Sequence, residues 1–321
     1  MGGLSNQLLV VTIFSYVLAM MAYAVEYAFG GRSVIARAAT RELAGAGGPS
    51  VTVPVESAAS AESAPVVASV GARRAGLIAV GITILGYVAH LGALVARGVA
   101  ADRAPWGNMY EFVMTATFVG VSAWLVVLLK WRNLRHLGVF VTLVAAILLS
   151  IAGMTLYVPV GPLVPALQSY WLVIHVGAAS IASGVFLVGF ITAVMHLIRT
   201  GYDAGKRNFP YSLGERLPQA VSLERVTFRV HAFAFPIWTF GVIGGAIWAE
   251  AAWGRYWNWD PKEVWSFVAW VVYACYLHAR STPSVSRKVT SWIAVIGWAT
   301  MLINLFGVNL FGGGLHSYAG V

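Results

Sequence analysis

The chain has 321 residues, of which 59% are hydrophobic and only 10% charged, with a mean hydropathy of +0.76. An ordinary soluble domain is about 25% charged, so these values exclude a soluble enzyme or binding domain and indicate a polytopic membrane protein. The formal net charge of +9 reflects where the basic residues fall between apolar runs and does not point to nucleic acid.

At roughly 20 apolar residues for each ~30 Å hydrocarbon core, eight runs read as spans: 7–29, 75–96, 108–129, 137–157, 171–198, 230–249, 263–279 and 289–310. Open sheet edges and lipid-facing loops would strand backbone polar groups in hydrocarbon, so the fold class is all-α with about eight transmembrane helices. The first run has no basic residue before it and no clear cleavage site after it, and so reads as a mature helix rather than a signal peptide. Residues 30–74 follow it, rich in Ala, Ser, Gly, Val and Pro and poor in aromatics. Such a composition cannot bury enough surface to offset ordering entropy, so this stretch is expected to be a disordered cytoplasmic linker. Helix 1 then becomes a semi-detached span, and residues 75–321 form the working bundle of seven helices.

Basic residues accumulate in cytoplasmic connections. Of the 21 Lys and Arg, all but Arg97, Arg103, Arg255 and Lys262 follow the odd-numbered helices. Both termini are therefore expected on the extracytoplasmic side, with connections 97–107, 158–170 and 250–262 and the tail 311–321. These four segments are short, aromatic and rich in Gly and Pro, and any external chemistry must be built from them. Cys275 lies inside the seventh run, so the chain has neither a disulfide framework nor a Cys-x-x-Cys pair of its own.

Six tryptophans, at 248, 253, 257, 259, 265 and 270, fall within the stretch that contains "WGRYWNWDPKEVW", residues 253–265. An interfacial aromatic belt explains one or two of them at a helix end, and six poorly. Asp260-Pro261-Lys262-Glu263 reads as a helix start, with Asp as N-cap, Pro at the first position and Glu closing a capping box. Asp260 and Glu263 thus have an architectural explanation. Trp253, Tyr256, Trp257 and Trp259 precede that helix, where their ring faces can line a shelf for a large planar ligand.

Histidines supply the chemistry. Ionisable residues in membrane spans are costly and commonly functional, and this chain has seven histidines. His175 lies about one turn into helix 5 from the outer side and His316 lies in the outer tail, both at the depth of the tryptophan shelf. Two neutral imidazoles across a flat aromatic site suit six-coordinate haem iron.

The stretch "WAEAAWGRYWNWDPKEVWS" resembles the tryptophan-rich signature of the haem-handling proteins of cytochrome c biogenesis. "PWGNMYEF" at 105–112, "YACYLHAR" at 273–280 and "FGVNLFGGGLHSY" near the C-terminus resemble further motifs of one branch, the CcsA (ResC) family of the system II cytochrome c synthase. The resemblance covers most of residues 85–318 and leaves helix 1 and the linker outside it. It implies that His175 and His316 are axial ligands of an outer haem b, contacted by Trp253, Tyr256, Trp257, Trp259 and Asp260. It also implies that His278 belongs to an intramembrane haem site completed by a CcsB (ResB)-type subunit. His278 lies about 18 residues, or ~27 Å of helix, below Asp260. The implied activity is delivery of haem to an apocytochrome c Cys-x-x-Cys-His segment within a holocytochrome c synthase of the plasma membrane, with no catalytic triad. Arg255 is favoured among Arg97, Arg103, Arg255 and Lys262 as a propionate partner.

Other polar positions keep two readings. His90 in helix 2 is either a haem contact or a helix-to-helix hydrogen bond, and His231 reads as an interfacial side chain. His136 and His196 read as neighbours of Arg135 and Arg199. Asn108 and Glu111 have capping-box spacing, although the resemblance also puts Glu111 near the shelf. Asn309 and Gly312–Gly314 read as the turn that delivers His316. Two other functions remain open: a CcmC-like subunit that passes haem to a chaperone, and a non-haem membrane assembly protein whose tryptophans are only anchors.

Overall fold

A computed structural model describes residues 1–30, 70–163, 165–311 and 313–316, so the expected linker lies almost wholly outside the described residues. Eight long helices follow one another: α1 (Gly2–Phe29), α2 (Val70–Ala101), α3 (Met109–Lys130), α4 (Gly138–Thr155), α5 (Tyr170–Asp203), α6 (Ala220–Trp253), α7 (Pro261–Ser281) and α8 (Arg287–Leu302). α8 continues through a π turn, Ile303–Gly307, into a final helical turn, Val308–Phe311. Single 3-10 segments occupy Arg132–Leu137, Pro165–Leu167 and Tyr211–Arg216.

Seven of these helical stretches are long and apolar enough to cross a membrane, and the protein is a multi-pass membrane protein. α7 is not among the seven. Its 21 residues suffice in length, but Lys262, Glu263, His278 and Arg280 punctuate both ends, and Trp and Tyr replace much of the Leu and Ile that fill the other helices. Seven of the eight expected runs thus meet the length and apolarity of a span, and the helix expected at 263–279 forms as α7 where its cap was read. α6 starts ten residues before the run predicted from 230, taking in Arg225 and Arg229. This polar extension is stabilised by an ion pair between Glu224 and Arg280 of α7.

α1 is packed into the bundle rather than semi-detached. It lies along α2 and α4, burying Tyr16, Ala19 and Tyr23 completely. Ser5 donates to the carbonyl of Ala93 at 2.8 Å, and Glu26 pairs with Arg135. Close approach depends on a small residue: a Cβ at Gly86 would meet Ser15 and Tyr16 at 2.8 and 2.9 Å. Small residues at such crossings are what membrane helices use to gain packing where no hydrophobic drive separates them from lipid.

The main core lies among α3, α5, α6, α7 and α8. Phe186 of α5 stacks on Tyr273 of α7 at 3.8 Å and 3°, and α5 and α6 run together over most of their length. His231 of α6 is buried here at 1% exposure and not at an interface as its position suggested. Its ring fills space above Gly189, where any Cβ would approach it to 2.3 Å, and its Nδ1 donates to the carbonyl of Thr227 at 2.7 Å. His196 is likewise internal, bonded to Ser291 of α8 at 2.8 Å. His196 illustrates how a polar side chain near a helix end can be turned inward when a neighbouring helix supplies a partner, whereas His231 bonds one turn back on its own helix.

Candidate functional site

A cavity opens at the end of the bundle where α6 ends and α7 begins, and encloses about 1300 Å3 of empty space with its open mouth included. Residues of α3, α5, α6, α7 and α8 line it, and three of these helices present the longer rows at helical spacing. α5 contributes Leu172, His175, Val176, Ala179 and Ser183; α6 contributes Trp238, Gly241, Val242, Gly245 and Trp248; α8 contributes Trp298, Met301 and Leu302, and the π turn after it Leu305. A period of three to four residues puts such sets on one face of each helix, so the cavity follows from apolar faces that meet incompletely at this end.

His175 and His316 both line this cavity. The Nδ1 atom of His175 lies 2.7 Å from the carbonyl oxygen of Gly241. A carbonyl only accepts, so Nδ1 carries the proton and Nε2 carries the lone pair. Gly245 makes room for this ring: a Cβ there would lie 2.7 Å from Cε1 and 2.8 Å from Nδ1. The Nδ1 atom of His316 lies 2.8 Å from Oδ2 of Asp260, which by the same logic fixes Nε2 as the basic nitrogen. Trp248 is the wall the two imidazoles share, stacked on His175 at 6.0 Å and 7° and edge-on to His316 at 5.7 Å and 63°.

Asp260 joins the two distant segments. As N-cap of α7 it accepts from the Lys262 amide at 3.2 Å, while Glu263 reaches back to the Asp260 amide at 3.1 Å, completing the capping box read from the sequence. Its other oxygen accepts from the Leu315 amide at 2.7 Å. Gly314 permits that approach, since a Cβ would fall 2.3 Å from Oδ1. Burial pushes the Asp260 carboxyl upward, but the hydrogen bonds from His316, Leu315 and Lys262 outweigh it and hold the group below the usual aspartate range.

The other motif residues take different places. Tyr256 and Trp257 line the cavity. Trp253 packs edge-on to Trp248 at 4.8 Å and to His316 at 5.1 Å, behind the lining rather than in it. Trp259 is 70% exposed and has φ of 59°, a left-handed backbone that turns the chain into the α7 cap. Arg255 is exposed and away from the lining, whereas Lys262 is part of it.

His278 is exposed on the last turns of α7, at the far end from Asp260. His90 is fully buried between α1 and α3, with Tyr16 Oη 3.4 Å from its Nδ1 and the Phe118 ring at 5.4 Å, outside the cavity lining. Asn108 caps α3 by accepting from the Glu111 amide at 2.9 Å. Glu111 does not complete the box; it is wholly buried and accepts from Arg97 at 2.8 Å, Arg103 at 2.6 Å and the Gly107 amide at 2.8 Å. Arg97 and Arg103 are thereby committed to Glu111. Trp106, Trp238 and Trp298 also wall the cavity without a sequence signal for it: Trp106 stands in the connection before α3 and the other two singly on α6 and α8, so they carry no common spacing until the helices pack.

The fold is that of a helical membrane protein that gathers two imidazoles, each oriented through Nδ1, into one aromatic cavity. Residues 106–316 match the family model described as "Cytochrome C assembly protein". The chain is 33% identical over 257 residues to the cytochrome c biogenesis protein CcsA of Guillardia theta, covering 75% of this chain and 85% of that protein. It is 33% identical over 288 residues to CcsA of Gloeothece citriformis, with 76% and 87% covered, and 30% identical over 292 residues to CcsA of a Synechocystis strain, with 75% and 86% covered. The chain belongs to the cytochrome c assembly family, in its CcsA branch, and its context is cytochrome c biogenesis.

Proposed function

We propose that the chain binds haem b in this cavity and presents it at the extracytoplasmic face of the plasma membrane for covalent attachment to apocytochrome c. His175 and His316 are the axial ligands. The observation that carries this reading is that two histidines remote in sequence line one cavity, each with Nδ1 committed to an acceptor so that Nε2 is left as the metal-binding nitrogen. Acceptors behind the ligating imidazole fix its tautomer and raise its basicity, as outer-shell partners of metal-bound histidines do. The aromatic lining suits the macrocycle, and the residues present therefore fit haem as cargo.

In the proposed reaction each cysteine S–H of a Cys-x-x-Cys-His segment adds across a haem vinyl C=C bond, forming a C–S bond and placing the hydrogen on the neighbouring carbon. No net redox change occurs in this addition. The protein contributes position: the two imidazoles fix the iron, and the walls hold the ring while the cysteines approach. The segment's histidine then replaces one of the chain's own ligands.

His278 is proposed as one ligand of a second haem site within the membrane, completed by a CcsB (ResB)-type subunit. Its exposure on the bundle surface supports a ligand shared with a partner. With α7 as an eighth span, the cytoplasmic end carries His278 and the outer end carries Asp260 and the cavity.

The test is a pair of measurements on the purified protein with its partner subunit. Wild type is expected to show a Soret band and to support holocytochrome formation in cells. The His175→Ala/His316→Ala variant is expected to insert normally, to lose c-type cytochrome formation, and to regain part of it with added imidazole. Normal holocytochrome yield in that variant would overturn the ligand assignment. A spectrum with no Soret band in wild type supplied with haem would favour the non-haem alternative.

A further inference from the structure

Lys262 is at the second position of α7, directly after the proline that follows the Asp260 cap. Lys262 and Glu263 are the charged lysine and acidic residues of the cavity lining, and Glu263 is occupied by the amides of Asn258 and Asp260 at 2.8 and 3.1 Å. Lys262 Nζ donates to one neutral acceptor, the carbonyl of Asn304 at 3.0 Å, inside the π turn of α8. Among the described residues no carboxylate lies within ion-pair distance of it. An ammonium has three donors; Lys262 has one neutral hydrogen-bond partner, and the Asp260 carboxylate that it feels at longer range is already bonded to Leu315 and His316, so this cation in an apolar cavity is costly unless a further anion joins it.

The surroundings of Nζ are themselves polar and incompletely satisfied. Asn304 is buried at 6% exposure; its Nδ2 donates to Ser266 at 2.9 Å, while its Oδ1 is buried without a hydrogen-bond partner. π turns interrupt helices mainly where a site needs them, and this one turns a backbone carbonyl toward the lysine. The other cations named for the outer segments are elsewhere: Arg97 and Arg103 are bound to Glu111, and Arg255 is exposed.

We propose that Lys262 is the cavity's anion-binding residue and forms a charge-assisted hydrogen bond with one propionate of the bound haem. This assignment rests on the haem reading above. The bond fixes the rotation of the macrocycle about the axis defined by His175 and His316, which two axial nitrogens alone leave unset. Which vinyl group meets which cysteine is then decided by α7, the same helix whose cap positions His316.

The experiment titrates the full-length protein in lipid nanodiscs with haem b and with its dimethyl ester, which lacks propionate charge. Wild type, Lys262→Met and Lys262→Arg are compared. Wild type is expected to bind haem b roughly tenfold more tightly than the ester; Lys262→Met is expected to bring the ratio near one with ester affinity unchanged, and Lys262→Arg to keep most of it. The propionate bending band in resonance Raman spectra is expected to shift in Lys262→Met while the axial-ligand bands stay in place. A ratio that survives in Lys262→Met, or an equal loss of both ligands, overturns the Lys262 assignment and leaves the haem site standing. A wild-type cavity that takes neither porphyrin overturns the haem reading and the propionate bond with it.

Discussion

At the scale of single residues, Asp260 does more than its sequence context announces. The motif Asp-Pro-Lys-Glu reads as a helix start and is one, yet the same carboxylate also holds Leu315 and His316. A group whose folded value is depressed contributes stability that is present above the ordinary aspartate range and lost as pH falls through the folded value. Docking of the tail on α7 is therefore expected to hold from neutral pH to about pH 4 and to weaken below it. Asp260→Asn separates the two roles, because Asn remains a good N-cap but is a weaker acceptor for His316. Its expected cost is on the order of 1 kcal/mol, read as a lower melting temperature in detergent at pH 7 that converges with wild type in acid. A variant whose melting curve tracks wild type at every pH would mean that the tail does not lean on this carboxylate.

At the scale of elements, the pairing of α5 with α6 sets the position of His175, and two adjacent glycines on α6 predict opposite outcomes. A Cβ at Gly245 would stand 2.7 Å from the His175 ring, whereas one at Gly244 would meet only ordinary contacts from 3.7 Å outward. Gly245→Ala is expected to destabilise the protein by about 1–3 kcal/mol through overpacking and to shift the Soret maximum as the imidazole turns. Gly244→Ala is expected to leave the spectrum unchanged and to stabilise the helix by about 0.5–1 kcal/mol. Thermal melts and absorption spectra of both variants check the pair, and equal behaviour would show that ring clearance at Gly245 is not what positions His175. Neither glycine carries a sequence signal, since glycine is frequent in membrane helices and both face His175 of α5, Gly244 toward its backbone and Gly245 toward its ring.

At the scale of the whole molecule, the arrangement of charge predicts sidedness. The cavity end carries Arg97, Arg103, Arg255 and Lys262, and the opposite end carries most of the other basic residues. By the positive-inside rule the cavity is expected to face outward. With Cys275 replaced by Ser, a cysteine at Arg255 is expected to react with a membrane-impermeant maleimide on intact cells, and one at Arg207 only after permeabilisation. The reverse pattern would invert the topology and move the proposed attachment chemistry to the cytoplasm.

Sequence alone determined the all-α membrane class, the eight helices and the α7 cap, because hydrocarbon thickness and helix-end chemistry act through neighbours a few residues apart. It also singled out His175 and His316, through their depth and the resemblance of the tryptophan segment. Tertiary structure decided what local pattern cannot carry. It put the two imidazoles on one cavity, committed Arg97 and Arg103 to Glu111, left Lys262 rather than Arg255 in the lining, buried His231 and His196, and packed α1 into the bundle. Each of these depends on which helix faces meet, and such meetings are set by small residues and hydrogen-bond partners far away in the chain.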